Sequence, residues 1–450
     1  MLPCSIAIAN SVLTSLRMFA IFQRTQRRSS FYVQENMSGH LHEETVMHGL
    51  KAKGLKKGSV SRSAAVTIGL AATAPAYSLT GALGYGAAES GYQLPIVFIL
   101  SVIPMFFVAL SYKHLTASAP DSGTVFTWGT KAIGPRIGWF GGWALLLASV
   151  MAGVAATEVM VNATALMLDF QDTPVWLHLG VAILFILSTT YLTALGAEES
   201  SRTTMILTIA QYGGLITLTA ILLMRVVQGN AVVSAEVFSL EWFNPFAISS
   251  FSAFLHGFLV ALFIFWGFDA SLAMSEETDG SAEQAGRSGI IAMMITAITY
   301  VTFSTAALAY AGIDAQDPSS LTFKDNIGSI ITALTTDIIG TQGTLIAALI
   351  IAVSAFSSTM STIMPAARAA FHVDEEQFAH DLSLMLRSGL SLIEALRTLS
   401  EQGAGSAAAP VRELLQLLQR GESLSRAMQA TGAFGVPLLA CAKASELTGD

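Results

Sequence analysis

Charged residues are scarce in this chain: Asp, Glu, Lys and Arg make up 12% of its 450 residues, against 53% hydrophobic. Soluble domains carry about twice that share of charge, so a soluble globular chain is excluded and an integral membrane protein is implied. Cysteine is nearly missing. Cys4 and Cys441 stand at opposite ends, which excludes a disulfide framework and a cysteine-based metal site. Catalytic signatures are lacking as well, with no Walker A loop, nucleophile elbow or kinase motif. Gly81-x-x-Gly84-x-Gly86 follows no strand and so is not a dinucleotide loop. His40, His42 and His48 cluster, but His42-Glu-Glu-Thr-Val lacks the HExxH spacing, and a solvated tail is the reading. These absences predict a non-enzyme with no cofactor, no metal and no nucleic-acid partner.

What the chain does have is long apolar runs. Eight spans, over about 64–87, 94–112, 138–168, 175–195, 203–225, 251–275, 289–311 and 343–367, lie near the roughly 20 residues that cross a bilayer. Lys113, Lys131, Arg136, Arg202, Arg287 and Arg368 fall in loops on the side of the basic segment 37–63. The opposite loops hold Arg225 and Lys324 among Glu89, Asp169, Asp172, Asp314 and Asp317. The positive-inside rule then puts both ends of the membrane part in the cytoplasm, in a multi-pass protein of the cytoplasmic (inner) membrane. Residues 1–63 read as a cytoplasmic tail. Within it Ser5 to Phe22 is apolar, yet Arg17 interrupts it and Arg24, Arg27 and Arg28 follow it, the reverse of a signal peptide. Met37 is an alternative start that would make the first 36 residues spurious.

Two spans are interrupted at their centres. In the sixth, Trp266-Gly267-Phe268-Asp269 brings glycine and a carboxylate into an apolar run that ends at Glu276 and Glu277. In the first, Pro75 breaks the run Ala71-Ala-Thr-Ala-Pro-Ala-Tyr-Ser-Leu-Thr-Gly81. Hydrocarbon tolerates freed peptide groups only where they line a site, and paired interrupted helices are the pointer to a transporter's binding site. Other polar residues in the spans are candidates for ion coupling. Glu158, one turn before Asn162, could carry a proton if buried, or be a hydrogen-bonded Glu at a helix interface; Asp269 is open to the same two readings. Ser354, Ser357, Ser358 and Ser361 share one face of the eighth span. They either ligate a cation or bond their own preceding carbonyls.

After Phe371 the composition turns charged and amphipathic. Residues 374–450 are predicted to be short helices, with Phe378, Leu382, Met385 and Leu386, then Ile393, Leu396 and Leu399, at helical spacing. Ser391 and Glu394 make a capping box, and Pro410 suits the first turn of a helix carrying Val411, Leu414, Leu415 and Leu418. So short a module builds a marginal core and calls for a protein partner.

Residues 52–370 resemble the amino acid–polyamine–organocation permeases. The resemblance rests on the Pro75 break, Pro120-Asp-Ser-Gly-Thr-Val-Phe-Thr-Trp128, Gly134 through Trp143, Phe265-Trp-Gly-Phe-Asp269 and Ser275-Glu-Glu-Thr278. It implies an all-α membrane bundle built as an inverted repeat of the APC/LeuT type, here cut after eight helices, with its first and sixth helices unwound. It also implies alternating-access transport of amino acids or related amines. Thr73, Ala74, Ala76, Tyr77 and Ser78 would then meet a substrate carboxylate. Phe265, Trp266, Gly267 and Asp269 would meet its ammonium, with Phe263 or Phe265 as the gating aromatic. Coupling to H+ or Na+ is open, because the lysine of many proton-coupled members is absent from the fifth span, where Gln211 is the strongly polar residue.

The tail resembles the F-type inner-membrane protein of type II secretion and type IV pilus systems. The matching stretches are Phe378 to Leu396, Gly421-Glu-Ser-Leu424 and Ala444 to Gly449. Three readings follow: a secondary transporter with an appended helical module, a secretion or pilus scaffold with a membrane anchor, or a join of two gene fragments without full activity.

Overall fold

The computed structural model describes residues 58–168, 174–195, 197–232, 235–280, 282–387, 390–402 and 408–431, and near the end 434, 438–439, 442–443 and 446. His40, His42, His48 and most of the tail 1–63 lie outside them. The described residues are helical apart from loops and one isolated bridge. Among the described residues seven apolar stretches are long enough to cross a membrane, and the first, Arg62–Ser118, is 57 residues long.

The chain divides into two units. The larger, Val60–Pro120 with Leu147–Ala366, opens with α1 (Arg62–Ala72), capped by the Ser61 hydroxyl, which accepts the Ala64 N–H. Pro75 has no N–H for the next helical bond and disfavours helical backbone at the residue before it. Ala74 accordingly turns left-handed, with φ 46°, and α2 (Pro75–Ser90) starts with proline at its first position. A short 3-10 turn, Gly91–Gln93, leads into α3 (Leu94–Ser118).

After α4 (Val125–Ala132), α5 (Pro135–Met167), α6 (Val175–Ala194) and α7 (Ala197–Val227) comes α8 (Phe251–Phe265). It begins on a Ser250 cap and stops where Trp266 is extended and Gly267 takes φ 122°. A 3-10 segment, Phe268–Met274, continues the run. Next are the unbroken α9 (Ala282–Ala311), the ten-residue α10 (Ile330–Ile339) and the long α11 (Thr341–Arg387).

The core of this unit lies where α2, α3, α8 and α9 meet. Leu79, Leu83, Leu94, Phe98, Phe265, Phe268, Tyr300 and Phe303 are all fully buried there. Burial of each large side chain contributes about 1.5–3 kcal/mol. The stretch leading into α1 is tied to the end of the interrupted span: Val60 N–H donates to Glu277 O (3.1 Å), and Asp279 N–H donates to Val60 O (2.9 Å).

The other unit includes Asp121–Leu146 and the chain from Ala367 onward. Its terminal part, with α12 (Leu392–Gln402), α13 (Ala408–Gln419) and α14 (Leu424–Thr431), buries Phe378, Leu396, Val411, Leu414 and Met428 together. Leu382, Leu399, Leu415 and Leu418 pack against them. The capping box forms as expected: Ser391 N–H donates to Glu394 Oε2 (3.0 Å), and Glu394 N–H donates to Ser391 Oγ (3.3 Å). The backbone is helical through Phe371, within α11. Alanines, acidic residues and glutamine sustain a helix whether or not its surroundings are apolar.

Candidate functional site

The two interrupted spans meet at their interruptions. A methyl group on Gly267 would lie 2.7 Å from the carbonyl carbon of Ala72 and 2.8 Å from Thr73 N, so the breaks touch backbone to backbone. Glycine is required there twice over, by the contact and by φ.

Each break frees peptide groups. In the first, Tyr77 N–H donates to Ser354 Oγ (3.2 Å) instead of to the Thr73 carbonyl one turn back. Thr73 O takes the Ser78 hydroxyl (2.7 Å) and the Tyr300 hydroxyl (3.3 Å) in its place. Ala72 O accepts the Ser358 hydroxyl at 3.4 Å. Thr73, Ala74 and Ser78 N–H groups bond inside the segment, which leaves Ala76 with an N–H that has no internal acceptor among the described residues. In the second break, Ile264 O accepts the Tyr300 hydroxyl (3.0 Å). The carbonyls of Phe265, the last residue of α8, and of Trp266 beyond it accept no backbone N–H among the described residues. One anion-seeking N–H and two cation-seeking carbonyls thus flank the contact between the breaks.

The residues singled out in the sequence separate into groups. Thr73, Ala74, Ala76, Tyr77 and Ser78 sit at the first break; Phe265, Trp266, Gly267 and Asp269 sit at the second. Phe265 is fully buried, with its ring centroid 5.2 Å from that of Tyr300 and 6.3 Å from that of Phe98. Phe263, its alternative as the gating aromatic, is 82% exposed and turned away, since residues two apart on a helix do not share a face. Trp266 is half-exposed and Asp269 half-buried.

The serines of α11 make two kinds of contact. Ser354 and Ser358 reach across to the first break. Ser357 and Ser361 donate to carbonyls of their own helix, and Ser357 also accepts the amide of Gln211 at 3.1 Å. The Gln211 side-chain oxygen is buried with no hydrogen-bond partner among the described residues. Glu158, open to burial or to a hydrogen-bonded place between helices, is not buried. Its side chain is 53% exposed on α5, 3.3 Å from His178 Nε2 on α6. Among the described residues no cluster of His, Cys, Asp and Glu could hold a metal ion.

Sequence reasoning missed Tyr300 and Thr296, both on α9. Thr296 meets the Thr73 hydroxyl (3.3 Å) and that of Tyr212 on α7 (3.4 Å). A lone tyrosine in an apolar span carries no periodic signal. The one available hint is that a buried phenol needs an acceptor, and broken helices supply acceptors.

Comparison with known proteins fits this geometry. Residues 59–376 match the family model described as amino acid permease, and residues 378–449 match that of type II secretion system protein F. Branched-chain amino acid permease BcaP of Bacillus subtilis is 27% identical over 256 residues, which is 51% of this chain and 52% of that one. Cationic amino acid transporter 4, vacuolar, of Arabidopsis thaliana is 23% identical over 60% of this chain and 46% of its own. Low-affinity putrescine importer PlaP of Escherichia coli K12 is 25% identical over 52% and 50%. The chain spans about half the length of these curated relatives. The match over most of its residues identifies it as a member of the amino acid permease family, with a protein F-type segment at its C-terminal end.

Proposed function

We propose that the chain is the substrate-binding part of a secondary transporter for amino acids or related amines. The observation that carries this reading is the backbone contact between the two breaks, with donors from one and acceptors from the other around it. A zwitterion fits that pattern: its carboxylate meets Ala76 N–H and the N-terminal end of α2, and its ammonium meets the carbonyls of Phe265 and Trp266 at the C-terminal end of α8. The names of the relatives support the same class of small molecule.

The membrane part makes eight passes in this reading. At 1.5 Å per residue the 57-residue stretch Arg62–Ser118 is about 85 Å of helix, enough for two crossings of a ~30 Å core. Both ends of the membrane part are then cytoplasmic, by the distribution of Lys and Arg. For coupling, Ala72 O, Ser354 Oγ and Ser358 Oγ are hard oxygens suited to Na+, whereas Asp269 and the Glu158–His178 pair are the groups that could carry H+. The C-terminal module is a docking domain for a protein partner.

Equilibrium binding to the purified chain in nanodiscs tests this, with labelled leucine, lysine and putrescine as probes. Saturable binding of at least one is expected, weakened at least tenfold by Ala76→Pro, which removes the free N–H in the first turn of α2, where no intrahelical hydrogen bond is lost. No binding of any probe, or binding indifferent to Ala76→Pro, would refute the site. Asp269→Asn and Glu158→Gln then separate the proton carriers, since the relevant one abolishes the pH dependence of binding.

A further inference from the structure

Tyr300 stands between two carbonyls that belong to different interrupted helices. Its hydroxyl lies 3.0 Å from Ile264 O, in the last turn of α8, and 3.3 Å from Thr73 O, the capping residue of α1. A phenol has one proton to donate. It therefore serves one carbonyl fully or divides itself between both. The two acceptors are not equally supplied, because Thr73 O also receives the Ser78 hydroxyl at 2.7 Å, whereas no backbone N–H reaches Ile264 O among the described residues. The ring itself has little freedom. Tyr300 is fully buried, with Phe98 at 6.0 Å and Phe265 at 5.2 Å between ring centroids. It projects from α9, a 30-residue helix without a break, so its own backbone is a fixed reference for two segments that are not helical.

We infer that Tyr300 is a positioning residue that couples the two unwound segments, its one phenolic proton passing between a carbonyl of each. Anything that supplies a new donor to Ile264 O, such as an ammonium group arriving at the end of α8, releases the proton to Thr73 O and tightens the other break. Anything that takes the Ser78 hydroxyl from Thr73 O draws the proton the opposite way and leaves Ile264 O unpaired. Only the first consequence, for a bound ammonium, rests on the transporter reading. The tie between the segments does not.

Hydrogen exchange by mass spectrometry on the full chain in nanodiscs, with no substrate present, tests the tie. The reporters are peptides covering 71–80 and 262–272, with residues 94–106 of α3 as the reference. Tyr300→Phe keeps the ring and removes the proton, and is expected to speed exchange in both reporter segments about two- to tenfold, the effect of one buried hydrogen bond, with the reference unchanged. Ser78→Ala is the sharper variant. Ser78 has no hydrogen bond to the second break, yet its loss should speed exchange at 262–272 as the Tyr300 proton moves to Thr73 O. In the double variant that remote effect should vanish. A change confined to one segment in Tyr300→Phe, an equal rise in all three peptides, or no response at 262–272 in Ser78→Ala would overturn the inference. Because no ligand enters the measurement, a failure of the transporter reading shows separately, as an absence of amino-acid binding in the unmodified chain.

Discussion

Replacing Gly267 by alanine should damage this protein out of proportion to the one carbon added. Two independent costs apply. At φ 122° an L-residue is strained, which costs about 1–3 kcal/mol. The new methyl group would also lie 2.7–2.8 Å from the backbone of Ala72 and Thr73. No side-chain rotation relieves that overlap, so the breaks must separate, at a further ~1–3 kcal/mol typical of overpacking. The sum, about 2–6 kcal/mol, is a large fraction of the ~5–15 kcal/mol that holds a folded domain. Thermal unfolding of the purified protein in detergent would measure it against Gly213→Ala. Gly213 is exposed on α7 with nothing within 4 Å of its added carbon, so that variant should be neutral or up to ~1 kcal/mol more stable. If Gly267→Ala melts within a degree or two of the unmodified protein, the contact between the breaks is not as described and the site built on it fails.

Ala74→Gly should be tolerated, because relief of ~1–2 kcal/mol of left-handed strain offsets the similar entropic cost of glycine; Ala71→Gly, inside α1, should lose ~1 kcal/mol, and unfolding midpoints separate the two. Ser391→Ala should destabilise the C-terminal module by about 0.5–2 kcal/mol through loss of its helix cap, read as a lower unfolding midpoint of that segment by hydrogen exchange. The same module should weaken in acid. Hydrogen bonds from Ser391 hold the Glu394 carboxyl below its ordinary value, and hydrogen bonds from Ser425 do the same for Glu446. Carboxyls depressed in the folded state stabilise it above their unfolded pKa and lose that contribution as the pH falls through the folded one. Exchange in this segment should therefore be steady near neutrality and rise, beyond its intrinsic pH trend, below about pH 4.5; no excess rise would contradict those bonds.

The interruptions of the first and sixth spans could be read from the chain because proline and glycine act locally. Pro75 removes a donor and Gly267 permits a backbone that other residues resist, whatever surrounds them. What the breaks face is not local. Tyr300, Thr296 and Gln211 come from α9 and α7, and only packing brings them to Thr73, Ile264 and Ser357. The face of α11 was visible as a serine pattern, but which serines cross to another helix depends on rotamers that spacing does not encode. The two readings of Glu158 stayed open for a related reason: an apolar run says that a helix sits among apolar groups, not which side faces the bundle interior. The helices α4 and α10 escaped notice because eight and ten residues are too few for a bilayer span or a clear period.

Substrate protection of single thiols probes the shared site most directly. With Cys4 and Cys441 replaced by serine, Tyr77→Cys at the first break and Trp266→Cys at the second would each be labelled by a small thiol reagent, with and without a saturating amino acid. One ligand held between the two breaks should slow labelling at both positions with the same concentration dependence. Protection at one position alone, or at neither while binding persists, would contradict a site formed by the pair.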